Sequence, residues 1–334
     1  MQFLPPFLFV FILFNIANSS VAFRNININA DRRGRSENVN NSDVASAIIT
    51  VDQNGSGKFK TIQAAIDSIP SGNHDWIKIK ISRGIYTEKV TIPPDKSYIF
   101  LQGLGREKTI VTFFDHERTD TSATFSSSPD NVVAKGISFK ALAARIYGDK
   151  SAFIECGFIG FQDTLWDATG RHYFSNCYFE GAIDFIFGFA QSYYENSLIN
   201  VTVGTRPPTE IAVGFITAQG RASANDPGGF VFEGGSVSGS GRVLLGRAYG
   251  AYSRVIFHGT DLGQVVAPQG WDAWSYKGQE STLTYAEIEC KGAGLNISER
   301  VAWEKKPGDI QQILQEYSRS SFIDQDGWID KLPR

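Results

Sequence analysis

Four apolar residues, Phe139, Phe158, Phe179 and Ile199, recur 19, 21 and 20 residues apart, and the text around them recurs too. Phe153-Ile154-Glu155-Cys156-Gly157-Phe158 returns as Phe174-Ser175-Asn176-Cys177-Tyr178-Phe179, then as Tyr194-Glu195-Asn196-Ser197-Leu198-Ile199. A period near 20 that retains residue type marks a solenoid, in which each repeat is one coil and equal offsets stack. Strand-like alternation within the repeats, with Gly or Asn at the junctions, makes each coil a set of short strands. The spacing therefore predicts an all-β chain wound as a single-stranded parallel β-helix. A β-sandwich also uses short strands, but gives no reason for the repeats to keep residue type.

Further strands are expected at 98–101, 109–113, 132–139, 230–233, 242–245, 254–257 and 283–287. Two short helices flank them. Ile62, Ala65, Ile66 and Ile69 have helical spacing ended by Pro70, and this helix is expected to cover an open end of the solenoid. A second is expected over 307–317, with Ile310, Ile313, Leu314 and Tyr317 on one face. Residues 47–334 read as one domain.

The start of the chain reads differently. An apolar stretch from Phe3 to Phe14 followed by Ser20-Val21-Ala22 has the form of a secretory signal peptide over residues 1–22. It is too short to span a bilayer, which takes about 20 apolar residues. Residues 23–46 are polar, rich in Asn and Arg, and lack periodicity, as an exposed disordered leader does. Export makes a disulfide between Cys156 and Cys177, at equivalent points of consecutive coils, a reasonable expectation; two buried thiols are the alternative, and Cys290 stays unpaired. Asn200-Val201-Thr202 and Asn296-Ile297-Ser298 fit the glycosylation acceptor pattern. A net charge of −3 argues against nucleic acid as the main partner.

The same stacking brings chemistry together. Asp163, in Gln162-Asp163-Thr164-Leu165, and Asp184, in Asp184-Phe185-Ile186-Phe187-Gly188, stand 21 residues apart and become neighbours. No Gly-x-Ser-x-Gly elbow occurs, and His74, His116, His172 and His258 show no metal-ligand spacing. His172, after Arg171, reads as a surface residue at a turn. Two neighbouring carboxylates push their pKa values apart, leaving one ionised to attack an ester carbonyl and one protonated to assist the leaving alkoxide. Burial between Ile183 and Phe185 raises Asp184, and Arg247 is the expected partner to reverse that rise. Gln162 can donate to a developing oxyanion, and Tyr249 offers a flat face for a sugar ring. Separately, Asp163 reads as a turn cap and Arg247 as a surface ion pair.

These residues resemble the plant pectin methylesterases, or pectinesterases, from about Ile49 to Lys306. The resemblance rests on Gly84-Ile85-Tyr86-Thr87-Glu88, the two aspartate segments, Thr217-Ala218-Gln219-Gly220-Arg221, Leu245-Gly246-Arg247 and Gln269-Gly270-Trp271-Asp272-Ala273-Trp274. It implies a right-handed parallel β-helix, secreted to the cell wall, that removes methyl esters from homogalacturonan without a metal or organic cofactor. It implies Asp184 as nucleophile, Asp163 as acid and then base, Gln162 as oxyanion donor and Arg247 as the residue that holds Asp184. Thr124, Arg247 and Tyr249 are expected to touch substrate. Methyl-esterified homogalacturonan is the implied partner, with a proteinaceous inhibitor as a further one, and a monomer is expected that engages no membrane.

The chain departs from the family in three places. Lys140 precedes Ala141-Leu142-Ala143-Ala144-Arg145 where relatives carry a second oxyanion glutamine. Loop residues before this stretch are missing, yet the 19-residue step from Phe139 to Phe158 still allows the coil to close. Tyr249 stands where a tryptophan is usual. These departures open a second reading, a pectin-binding wall protein of weak or no activity; a third is a β-helix polygalacturonase or lyase, which the separation of the carboxylates would help to distinguish.

Overall fold

The structure, a computed structural model, describes residues 45–115, 122–295, 298–305 and 310–333. The signal-peptide segment, nearly all of the leader, His116 and Asn296 lie outside the described residues. One coil shows the plan: Ser151–Ile154, Gly157–Ile159 and Leu165–Asp167 each join a different sheet, and the next coil repeats it with Arg171–Ser175, Tyr178–Gly181 and Ile183–Gly188. Stacked this way, the strands form three parallel sheets of ten, eight and eight strands. In coil order these are called here the first, third and second sheets, the second holding Leu165–Asp167 and Ile183–Gly188. This is the parallel β-helix that the repeats predict.

The stacked positions meet as expected. Phe139 pairs with Phe158, Phe158 with Phe179, and Phe179 with Ile199 in exact register across the third sheet. The rings of Phe158 and Phe179 lie 5.2 Å apart and nearly parallel. A second interior column runs through Phe153, Phe174, Tyr194, Phe232 and Phe257, with neighbouring centroids 4.4–5.2 Å apart. Each buried ring contributes about 2–3 kcal/mol of transfer free energy, and a strand spacing of about 4.8 Å matches ring stacking.

The corner between the first and third sheets explains the repeated Asn. Glu155, Asn176 and Asn196 occupy it with φ of +54°, +53° and +49°, and Gly136 holds the place one coil earlier. Only Gly, and to a lesser extent Asn, enters this left-handed region cheaply. Gly136 accordingly splits the strand expected at 132–139 into Val132–Lys135 and Ser138–Lys140.

Helix Ile62–Asp67 buries Ile62, Ala65 and Ile66 against the first coils, as the end-covering role requires. Thr61 caps it, and Glu88 accepts from the N–H groups of Ile62 and Gln63. The C-terminal helices, Ile310–Glu316 and Arg319–Phe322, instead lie on the outer face of the first sheet, where Ile313, Tyr317, Phe322 and Trp328 pack on Tyr193, Val231 and Ile256.

Two expectations are corrected in the interior. Cys156 and Cys177 are buried free thiols, their Sγ atoms 3.4 Å from the Ala134 carbonyl and 3.2 Å from that of Phe153. Side chains on stacked strands run parallel about 4.8 Å apart, whereas a disulfide needs Cβ atoms converging to about 3.8 Å. His172 is fully buried within strand Arg171–Ser175, not exposed at a turn. Its Nδ1 meets Asp167, its Nε2 lies 2.8 Å from the Gly148 carbonyl, and Tyr194 donates to Asp167 at 2.6 Å.

Candidate active site

The outer face of the second sheet carries a row of side chains at one register: Arg145, Trp166, Phe187, Ala218, Arg247 and Asp272, one from each successive coil. The two aspartates lie along one edge of this row. Gln162 bridges to Ile183, and the Asp163 N–H donates to the Ile183 carbonyl at 3.1 Å, so Asp163 and Asp184 sit on adjacent coils as their 21-residue spacing requires. Both adopt left-handed backbone, φ +54° and +47°. Strain of this kind costs about 1–3 kcal/mol per residue and persists where the surrounding structure over-determines it.

A local irregularity presents Asp184. Register slips between the pairs Ile183–Phe215 and Ile186–Thr217, so two residues oppose one at this point. Such a bulge breaks the alternation. Phe185 and Ile186 both go into the core at 0% exposure, and Asp184 keeps 8% exposure at the cleft wall.

Arg247 reaches across from two coils further on to meet Asp184 in a two-point contact: Nε donates to Oδ1 at 2.8 Å, and Nη2 donates to Oδ2. Burial raises the Asp184 pKa, and the arginine opposes that rise without reversing it; here the expected reversal is corrected. Asp163 lacks this partner. Burial first, and then the charge of Asp184, push it up to about 7, with Arg247 opposing from further away. The two-point arginine contact favours the carboxylate form at Asp184, so a proton shared by the pair is held more firmly at Asp163. Gln162 is exposed beside Asp163, with its side chain on the open side of the wall.

Aromatic faces surround the pair. The Arg247 guanidinium lies 4.4 Å from the Phe215 ring centroid and 4.1 Å from that of Trp274. Trp274 stacks on Tyr249, and Tyr249 meets Phe189, both at 6.0 Å. Tyr249 and Phe189 remain 42% and 40% exposed, flat apolar faces of the kind on which a ring can stack. Sequence reasoning missed Trp166, Phe187, Phe189 and Phe215 as cleft residues. The signal for the first two was an aromatic at the outward position between inward neighbours.

Thr124 does not belong to this surface. It is fully buried, its hydroxyl donating to the Lys140 carbonyl at 2.7 Å and accepting from the Phe113 N–H at 3.2 Å; the expected substrate contact is corrected to a bond inside the wall. Gln219 and Arg221 are likewise structural, with Gln219 accepting from the N–H groups of Arg221 and Arg254. The short turn after Lys140 closes the coil through Ala141 at φ +83°, keeping Phe139 on Phe158 and Ala144 on Leu165.

A pectinesterase family model matches residues 48–326. Among curated proteins, putative pectinesterase 10 of Arabidopsis thaliana is 50% identical over 87% of this chain and 89% of its own length. Probable pectinesterase 29 of the same plant is 45% identical over 85% and 89%. The solved pectin methylesterase from carrot superposes with a TM-score of 0.78 at 29% identity, covering 85% of this chain and 95% of that one. The coils described above wind in the same right-handed β-helix. With likeness of this degree running through nearly every coil, the chain belongs to the pectinesterase family, carboxylic ester hydrolases acting on pectin.

Proposed function

We propose that this chain hydrolyses the methyl esters of homogalacturonan with Asp184 as nucleophile and Asp163 as acid and then base. The carrying observation is the asymmetry of the pair: Asp184 is held at two points by Arg247, while its neighbour Asp163 is pushed up to about 7. A sugar ring stacks on Tyr249, placing the methyl ester over the two carboxylates. An oxygen of Asp184 attacks the ester carbonyl carbon, and the oxyanion accepts from the Gln162 amide. The bond to the methoxy oxygen breaks as Asp163 passes its proton to it, releasing methanol and leaving an acyl-enzyme anhydride. Asp163, now a carboxylate, takes a proton from water. The hydroxide formed attacks the anhydride, freeing Asp184 and a galacturonate carboxyl.

The substrate places the enzyme outside the cell. The apolar stretch from Phe3 to Phe14 and the small residues before position 23 supply the export signal, cleaved after Ala22. N-terminal sequencing of protein recovered from the culture medium tests this, and a start at Met1 would overturn it.

Methanol released from highly methylated pectin, by wild type beside Asp184→Asn, tests the chemistry. Release by wild type alone supports the reading and shows that one oxyanion glutamine suffices. No release from a folded wild type that retains pectin would make the chain a binding protein. Chain shortening of demethylated polymer would point to glycosidic cleavage instead.

A further inference from the structure

Arg247 starts on strand Val243–Ala248 and reaches Asp184 two strands away, running diagonally over strand Gly214–Gln219. Its register neighbour on the crossed strand is Ala218, which has no polar side-chain atom to steer the guanidinium. What flanks it is aromatic on two sides: Phe215 at 4.4 Å and Trp274 at 4.1 Å. Trp274 itself is set in a conformation that a bulky residue rarely takes, φ +46°, with its N–H donating to Asp272 Oδ1 at 2.8 Å. Its ring also stacks on Tyr249. Arginine suits such a slot because its guanidinium is planar and can stack while its edge donates.

Resting on the assignment of Asp184 as nucleophile, we infer that Phe215 is a positioning residue: with Trp274 it clamps the guanidinium of Arg247 and thereby keeps Asp184 ionised and aimed. The two walls differ in what else they touch. Trp274 continues into the sugar platform through Tyr249, so its loss disturbs substrate binding as well as Arg247. Phe215 meets the guanidinium at 4.4 Å, and its loss is expected to act through Arg247 on Asp184. The charged and titratable groups around Asp184 are Arg247, Asp163 from the preceding coil and the buried Tyr285 from the core, with Asp272 and Lys277 further off, beside Arg247 on the coil that follows it. Among the described residues, only Arg247 favours the carboxylate at contact distance.

The sign follows. A loosened guanidinium stabilises the carboxylate less, so Asp184 loses its proton at higher pH and the ascending limb of the rate profile moves up. A partly desolvated cation–π contact corresponds to roughly a fivefold change in an equilibrium, hence about half to one pH unit.

The experiment is the pH dependence of kcat and kcat/KM on methylated pectin for wild type, Phe215→Leu, Phe215→Tyr and Trp274→Leu, with Asp184→Asn alongside. Phe215→Leu should lower kcat about fivefold at pH 6, leave KM within about twofold, and move the ascending limb upward. Phe215→Tyr, which keeps the ring face, should restore both, and Trp274→Leu should change KM as well. An unmoved limb in Phe215→Leu, or Phe215→Tyr as impaired as Phe215→Leu, would overturn the inference and leave Phe215 as packing. If thermal unfolding shows that Phe215→Leu does not fold, Phe215→Met takes its place under the same criteria. Full activity in Asp184→Asn would instead sink the nucleophile assignment itself, and this inference with it.

Discussion

Two outer faces of the same solenoid have opposite fates. On the first sheet the outward positions include Phe100, Val133, Tyr193, Val231 and Ile256, and the C-terminal helices lie over this face to remove it from water. On the second sheet the outward row includes Arg145, Trp166, Phe187, Arg247 and Asp272, and half-exposed aromatic rings stay uncovered beside it. Both faces are built from the same coils at the same strand spacing, so the stacking does not distinguish them. Outward side chains do: an apolar row recruits a cover, whereas a row mixing charges with aromatic faces remains open for a carbohydrate.

The sharpest way to break this contrast is to remove the charge that makes the second face reactive. Asp184→Asn should lower methanol release at least about a thousandfold, with cooperative unfolding and pectin retention preserved. Loss of folding alone, with activity per folded molecule intact, would move Asp184 into the structural class of the opposite face. Arg247→Lys comes next, at about a hundredfold, because an ammonium reproduces neither the two-point contact nor the stacking between Phe215 and Trp274. Equal kcat values in steady-state assays of the two proteins would show that charge alone suffices there.

The covered face should respond in the other coordinate. Trp328 is 5% exposed on the first sheet, and its Nε1 donates to the Ile323 carbonyl at 2.7 Å. Trp328→Ala should cost about 3–5 kcal/mol in denaturant unfolding while the rate per folded molecule stays within about twofold. A large fall in kcat without a fall in stability would mean that the two faces communicate through the coils.

How much of this could be read in advance depends on how locally each feature is encoded. The interior columns were legible because stacking repeats the residue type: Phe139, Phe158 and Phe179 announce their register. The neighbouring aspartates were legible for the same reason, being one coil apart, and Arg247 because a buried carboxylate requires a cation. The Phe215–Arg247–Trp274 sandwich was not legible. Its members come from three coils and meet only because a long side chain runs diagonally, which no periodicity records. The bulge at Asp184 was hidden in an apolar strand that reads equally well without it. His172 was misplaced because a polar residue after an arginine looks exposed, whereas Thr124 was expected at the substrate on the resemblance alone; the hydrogen bonds of both are made inside the wall.

The smallest predicted effect tests whether the open face is bought with stability. Burial and the charge of Asp184 hold the Asp163 pKa near 7, well above the ordinary carboxylate value of 3.8. A raised folded-state pKa means that the folded protein binds this proton more tightly than the unfolded chain does. Its contribution to stability is therefore full below pH 4 and disappears as pH rises through 7. In the proposed mechanism the same proton serves the leaving methoxide, so activity should fall above pH 7 as stability does. Asp163→Asn, which cannot ionise, should leave the unfolding midpoint near that of wild type at pH 4 and raise it by several degrees at pH 8, while abolishing methanol release at both. Calorimetry at the two pH values decides it. A midpoint difference that does not change with pH would mean that Asp163 titrates as an ordinary carboxylate, and the proton would have to reach the methoxide from elsewhere.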